Sequence, residues 1–111
     1  MAFDEALGER IRRLLGKRKG VAEKKMFGGL AFLLNGNMCV GVHQDGLIVR
    51  LDPAATDAAL KRPHAKVFDL TGRPMKGWLL VEAAGVKSEK DLGGWVDVAV
   101  DYSSKLPKKA P

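Results

Sequence analysis

The chain has 111 residues, enough for one domain, and its 19 Lys and Arg against 13 Asp and Glu give a formal charge of +6 and a pI of about 9.7. With 46% apolar and 29% charged residues it is no disordered tract, and no apolar run approaches the roughly 20 residues of a membrane helix. A single cysteine excludes an internal disulfide, and no Cys or His spacing fits a metal site or calls for a cofactor.

The opening residues lack a basic stretch leading into an apolar one, so a cytoplasmic protein is expected. Phe3, Leu7, Ile11, Leu14 and Leu15 fall on one helical stripe. The acids Asp4, Glu5 and Glu9 come early and Arg12, Arg13 and Lys17 late, the order a helix dipole favours. Gly16 and Gly20 flank Arg18, so the helix ends between them and the basic run from Arg10 to Lys25 straddles a helix end and a loop.

A β-meander follows. Met26-Phe27-Gly28-Gly29 leads into a strand over 30–34, Asn35-Gly36-Asn37 turns into a strand over 38–43, and Gln44-Asp45-Gly46 turns into a third over 47–51. Asn-Gly and Asp-Gly accept the positive φ of tight hairpins. If both turns have two central residues, Ala31, Leu33, Met38, Val40, Val42, Leu47, Val49 and Leu51 share a wholly apolar face, which is the expected core. The other face carries Leu30, Phe32, Leu34, Cys39, Gly41, His43, Ile48 and Arg50, too apolar for a solvated surface. Cover by a partner chain or a terminal helix is expected there, with Phe32, Leu34, Ile48 and Arg50 as the interface.

Asp52-Pro53 starts a short helix over 54–61. Strands are expected over 66–70 and 75–81, joined by the turn Thr71-Gly72-Arg73-Pro74. Ser88 caps a last helix whose stripe is Leu92, Trp95, Val96, Ala99 and Tyr102, weakened by Gly93 and Gly94. Residues 1–107 thus form one α+β domain of order α-β-β-β-α-β-β-α, a two-layer sandwich with an antiparallel sheet backed by helices, and 108–111 a basic, flexible tail.

Resolved along the chain, the charge is uneven. Residues 1–25 hold eight basic and four acidic side chains, 26–104 eight and nine, and 105–111 three and none. The excess lies at the two ends, which form either one patch or two. Arg12, Arg13, Lys17, Arg18, Lys19, Lys24 and Lys25 are the candidate nucleic-acid contacts, read against a solvated face as the plain alternative. Aromatic content is 6% and no base-reading signature is present.

Catalytic groups are few. His43 sits beside a turn, His64 follows Pro63 in a loop, and Cys39 lies mid-strand where a free cysteine is ordinarily a small hydrophobe. Met26 to Gly29 lacks the phosphate-loop pattern and enters a strand, which favours a bulge or a close backbone approach.

Met26-Phe27-Gly28-Gly29, the apolar strand with Asn35-Gly36, Val40-Gly41-Val42, Asp45-Gly46-Leu47-Ile48-Val49-Arg50-Leu51 and the late Trp95 helix together resemble the N-terminal domain of the TfoX (Sxy) competence regulators, from about Arg10 to Pro107. The resemblance implies a bacterial, cytoplasmic α+β domain of secretion-chaperone-like fold that dimerises, with no catalytic residues. Full-length members continue into a C-terminal domain associated with genes for DNA uptake. The sequence ends at Pro111, so a stand-alone N-terminal domain is expected. The leading functional expectation is a non-enzymatic interaction module, homodimeric, working through an unidentified protein partner in transcriptional regulation without a membrane. A basic nucleic-acid-binding accessory protein is the alternative. The third reading is a small-molecule-binding protein or enzyme with a site near His43, Cys39 and Arg50.

Overall fold

The computed structural model describes residues 3–16, 18–26, 29–68 and 77–107. Its first helix, α1 (Glu5–Leu15), is capped by the Asp4 carboxylate, which accepts from the Leu7 N–H, and buries Leu7, Gly8, Ile11 and Leu15. Leu14, expected on the same stripe, is 41% exposed. Four strands follow: β1 (Val21–Met26), β2 (Gly29–Leu34), β3 (Asn37–His43) and β4 (Gly46–Arg50). A 3₁₀ turn (Pro53–Ala55) opens the short helix α2 (Thr56–Ala59), with Asp52 as its cap and Pro53 at the first position. Strands β5 (Ala65–Val67) and β6 (Trp78–Val81), a 3₁₀ turn (Ala83–Val86) and α3 (Glu89–Ser104) complete the chain. The Ser88 hydroxyl accepts from the Asp91 N–H, the expected cap.

The strands form one antiparallel sheet of order β1-β2-β3-β4-β6-β5. The α+β class and element order are as read from the sequence, with β1 added ahead of the three-strand meander. Val21–Met26 is an edge strand, and Ala22, Glu23, Lys24 and Lys25 on it are all exposed. Lysines at an edge discourage further pairing, which is why this segment reads as a basic loop. The turn over 71–74, the strand ends at 69–70 and 75–76, and the tail over 108–111 lie outside the described residues.

The expected face assignment fails inside β3. Both hairpins do have two central residues, Leu34 pairing with Asn37 and His43 with Gly46. Between them, however, Phe32 pairs with Val40 and Leu33 with Met38, so Cys39 is an extra residue, a β-bulge. Cys39 and Val40 consequently face the same side, and the parity reverses across the bulge. Leu30, Phe32, Leu34, Cys39, Val40, Val42, Leu47, Val49 and Leu51 pack against the helices, together with Leu79 and Val81 and with Leu92, Trp95, Val96 and Ala99 of α3. The other face gathers Ala31, Met38, Ile48 and Phe68, with Leu33, Trp78 and Leu80 partly buried against them.

Two ion pairs fix α1 in place. The Arg12 guanidinium donates through Nε and Nη2 to the Glu23 carboxylate of β1, both at 2.6 Å, and also pairs with Glu9. Arg10 Nε bonds Glu89 at 2.6 Å, and its Nη2 bonds the Lys87 carbonyl at 3.0 Å, tying α1 to the start of α3.

Candidate functional site

The residues singled out in the sequence do not converge on one place. Phe32 is 1% exposed and Leu34 4%, both in the helix-covered core, so they cannot form an interface. Ile48 lies on the opposite face, 2% exposed. Arg50, at the end of β4, has its guanidinium carbon 5.3 Å from the centroid of Trp78 and 5.9 Å from that of Tyr102. Both distances are within cation–π range.

His43, Cys39 and Arg50 do not share a site either. Cys39 points into the helix-covered core, 1% exposed. Burial pushes its thiol up from the ordinary range, against the opposing influence of the Ser103 hydroxyl and of the Arg18 and Arg50 charges. A protonated, sealed thiol is a poor nucleophile. His43 stands at the far end of β3 from Cys39, edge-on to Phe68 with ring centroids 6.0 Å apart and planes at 71°.

What His43 does meet is a groove of about 450 Å³ lined by Gln44, Asp45, His64, Lys66, Leu80 and Glu82, among others. Sheet pairing builds it: the β3–β4 turn, the start of β5 and the end of β6 meet at one end of the sheet. The Lys66 ammonium lies 3.6 Å from the Glu82 carboxylate, and the Glu82 N–H donates to the His64 carbonyl at 2.9 Å. His64 adopts φ +67°, a left-handed conformation uncommon outside glycine, and a Cβ on Gly85 would lie 2.8 Å from its own Cβ. His43 Nδ1 is buried without a hydrogen-bond partner among the described residues. No group of three or more His, Cys, Asp or Glu that could hold a metal ion occurs among the described residues. No spacing links His43 to His64, because only the long crossover into β5 and β6 brings them to one groove.

The Met26 to Gly29 segment joins two strands rather than opening one, since Met26 pairs with Gly29. Phe27 and Gly28 lie outside the described residues. At Gly29 the close backbone approach is present: a Cβ there would lie 1.9 Å from the Val42 carbonyl oxygen. The motif thus has a steric reason at its last position.

The candidate nucleic-acid contacts also divide. Arg12 is committed to Glu23 and Glu9, and the Glu23 hydrogen bond holds its guanidinium above the ordinary range. Arg13 is exposed on α1, and Lys24 and Lys25 are exposed on β1. Arg18 and Lys19 are exposed in the loop between α1 and β1, while Lys17 lies outside the described residues.

A single antiparallel sheet, packed by helices on one face and carrying on the other a smaller apolar cluster in which Ala31, Met38, Ile48 and Phe68 are buried and Leu33, Trp78 and Leu80 partly so, defines a small two-layer α+β domain. No helix among the described residues is long and apolar enough to cross a membrane. The family model for the TfoX N-terminal domain matches residues 13–103, and the chain belongs to that family. Membership suggests a role related to competence or regulation. No curated protein and no solved structure matches the chain.

Proposed function

We propose that the domain is a non-enzymatic, cytoplasmic interaction module that works in regulation through protein contacts and as a homodimer. The observation carrying this reading is the sheet face opposite the helices. None of its cluster comes from α1, α2 or α3, and Leu33, Trp78 and Leu80 remain partly open on it. Partly open apolar side chains at both ends of one sheet face, Leu33 on β2 and Trp78 and Leu80 on β6, are surface that a second copy covers. The burial of Cys39 and its distance along β3 from His43 support the non-enzymatic part.

Sedimentation at micromolar concentration tests the reading. The wild-type chain sediments as a dimer, and Leu33→Glu or Leu80→Glu converts it to a monomer with unchanged far-UV circular dichroism. A wild-type chain that stays monomeric removes the dimer.

A further inference from the structure

The basic excess sits at the two ends of the sequence, and the fold brings described parts of them, the loop with Arg18 and Lys19 and the segment up to Pro107, to one place. The Gly20 carbonyl accepts from the Asn35 N–H at 2.9 Å, laying the loop with Arg18 and Lys19 over the β2–β3 turn. A Cβ on Gly20 would fall 2.2 Å from the Asn35 side-chain oxygen, so loop and turn are in direct contact. On the other side of the turn, Asn37 Nδ2 donates to the Pro107 carbonyl at 2.9 Å. That bond holds the segment after α3, with Lys105, against the same turn.

Arg50 joins them. It occupies the strand end nearest this turn, beside Trp78 and Tyr102. β4 runs antiparallel to β3 with Val49 opposite Val40, so Arg50 lies at the end of β4 that neighbours Asn37 and the turn. Of the described acids at this end, Asp52 caps the Ala54 N–H, and Asp101 pairs with Lys105 itself at 3.2 Å, both side chains exposed, so a phosphate competes with Asp101 for that ammonium. Some of this positive charge offsets the C-terminal dipoles of α1 and α3, each equivalent to about half an elementary charge. Lys19 and Arg50 lie outside both helices and are not needed for that.

We propose that Arg18, Lys19, Arg50 and Lys105 form one composite patch around the Asn35-Gly36-Asn37 turn that binds the phosphodiester backbone of nucleic acid. Membrane-surface binding draws on a helix with an apolar face beside its bases. Here the bases come from a loop, a strand end and a helix C-terminus, a contour suited to a phosphate backbone. Contact is with phosphates and carries no sequence preference.

Fluorescence anisotropy with labelled random-sequence duplex DNA, duplex RNA and single strands tests it. Four neutralised phosphates give a slope of log K on log salt of about −3.6, so affinity falls roughly 150-fold between about 50 and 200 mM salt. Arg18→Gln and Lys105→Gln, one from each segment, each weaken binding and each lower the slope by about one. Lys24→Gln and Lys25→Gln, on the edge strand, leave both unchanged. Preference for DNA or RNA assigns the polymer within the proposal. Three results overturn it: no binding to any nucleic acid at about 50 mM salt, binding only to vesicles of anionic phospholipid, or equal losses in the edge-strand variants. An effect of Arg18→Gln without one of Lys105→Gln overturns the single-patch claim.

Discussion

Replacing Phe32 by alanine, beside the same change at its neighbour Leu33, reads the bulge at Cys39 directly. Phe32 is 1% exposed in the helix-covered core, while Leu33 is only partly buried on the other face. Truncating a fully buried phenylalanine removes its transfer free energy and leaves a cavity, together about 3–5 kcal/mol. Full burial of a leucine contributes about 1.5–3 kcal/mol, so the half-buried Leu33 loses roughly 1 kcal/mol. Set against a total stability of about 5–15 kcal/mol, the first change removes a large share and the second does not. Equilibrium urea unfolding measures both: with a slope of about 2 kcal/mol per M, the Phe32→Ala midpoint falls by about 1.5–2.5 M and the Leu33→Ala midpoint by about 0.5 M. Uninterrupted alternation through β3 demands the reverse order. If Leu33→Ala costs more than Phe32→Ala, the bulge and the face assignment built on it are wrong.

Gly29→Ala puts a Cβ 1.9 Å from the Val42 carbonyl oxygen, which only separation of β2 from β3 relieves. The expected loss is about 3 kcal/mol, and a change under about 0.5 kcal/mol in urea unfolding contradicts the pairing. Gly93→Ala meets nothing within 4 Å and sits in α3, so it gains about 0.5–1 kcal/mol in the same assay. The Arg12 hydrogen bond holds the Glu23 carboxyl below its ordinary range. A lowered folded value makes the pair's contribution present above the unfolded carboxylate pKa and lost as pH falls through the folded one. The melting-temperature gap between wild type and Glu23→Gln is therefore small at pH 7 and closes on acidification, whereas a gap independent of pH refutes the linkage. Because Cys39 is sealed in the core, a disulfide exchange reagent modifies it only as fast as the chain opens. Prompt labelling of the native protein at neutral pH counts against a sealed Cys39.

Local chemistry was readable wherever one residue type has one structural use. Asn35 and Gly36 both take positive φ, +53° and +83°, in the turn their dipeptide announces, and Ser88 caps α3 as its spacing indicates. At the second turn the left-handed residue is Gln44, at φ +55°, while Gly46 lies in β4, where a Cβ would meet the Val81 carbonyl oxygen at 3.0 Å. Glycine there answers a packing demand that only the fourth and sixth strands together create.

The bulge had no such mark, because Cys39 is apolar and fits either face of a strand. One extra residue therefore moved Phe32 and Leu34 from the supposed interface to the core. Strand β1 was obscured by its place at the edge, where both faces tolerate charge. The groove at His43 depends on β5 and β6 lying beside β4, a tertiary arrangement that short-range pattern does not encode.

The strand order also governs how the chain assembles. Strands β1 to β4 are neighbours in sequence and in the sheet, so their pairing closes only short loops and forms early. β4 must then wait for β6, which arrives after α2 and β5. During that interval the outer edge of Gly46–Arg50, with Leu47, Ile48 and Val49, is a row of unpaired backbone groups on an apolar strand. A nascent chain that stalls between Leu51 and Trp78 presents that edge to other copies, and truncation in this stretch yields aggregate instead of a smaller folded domain.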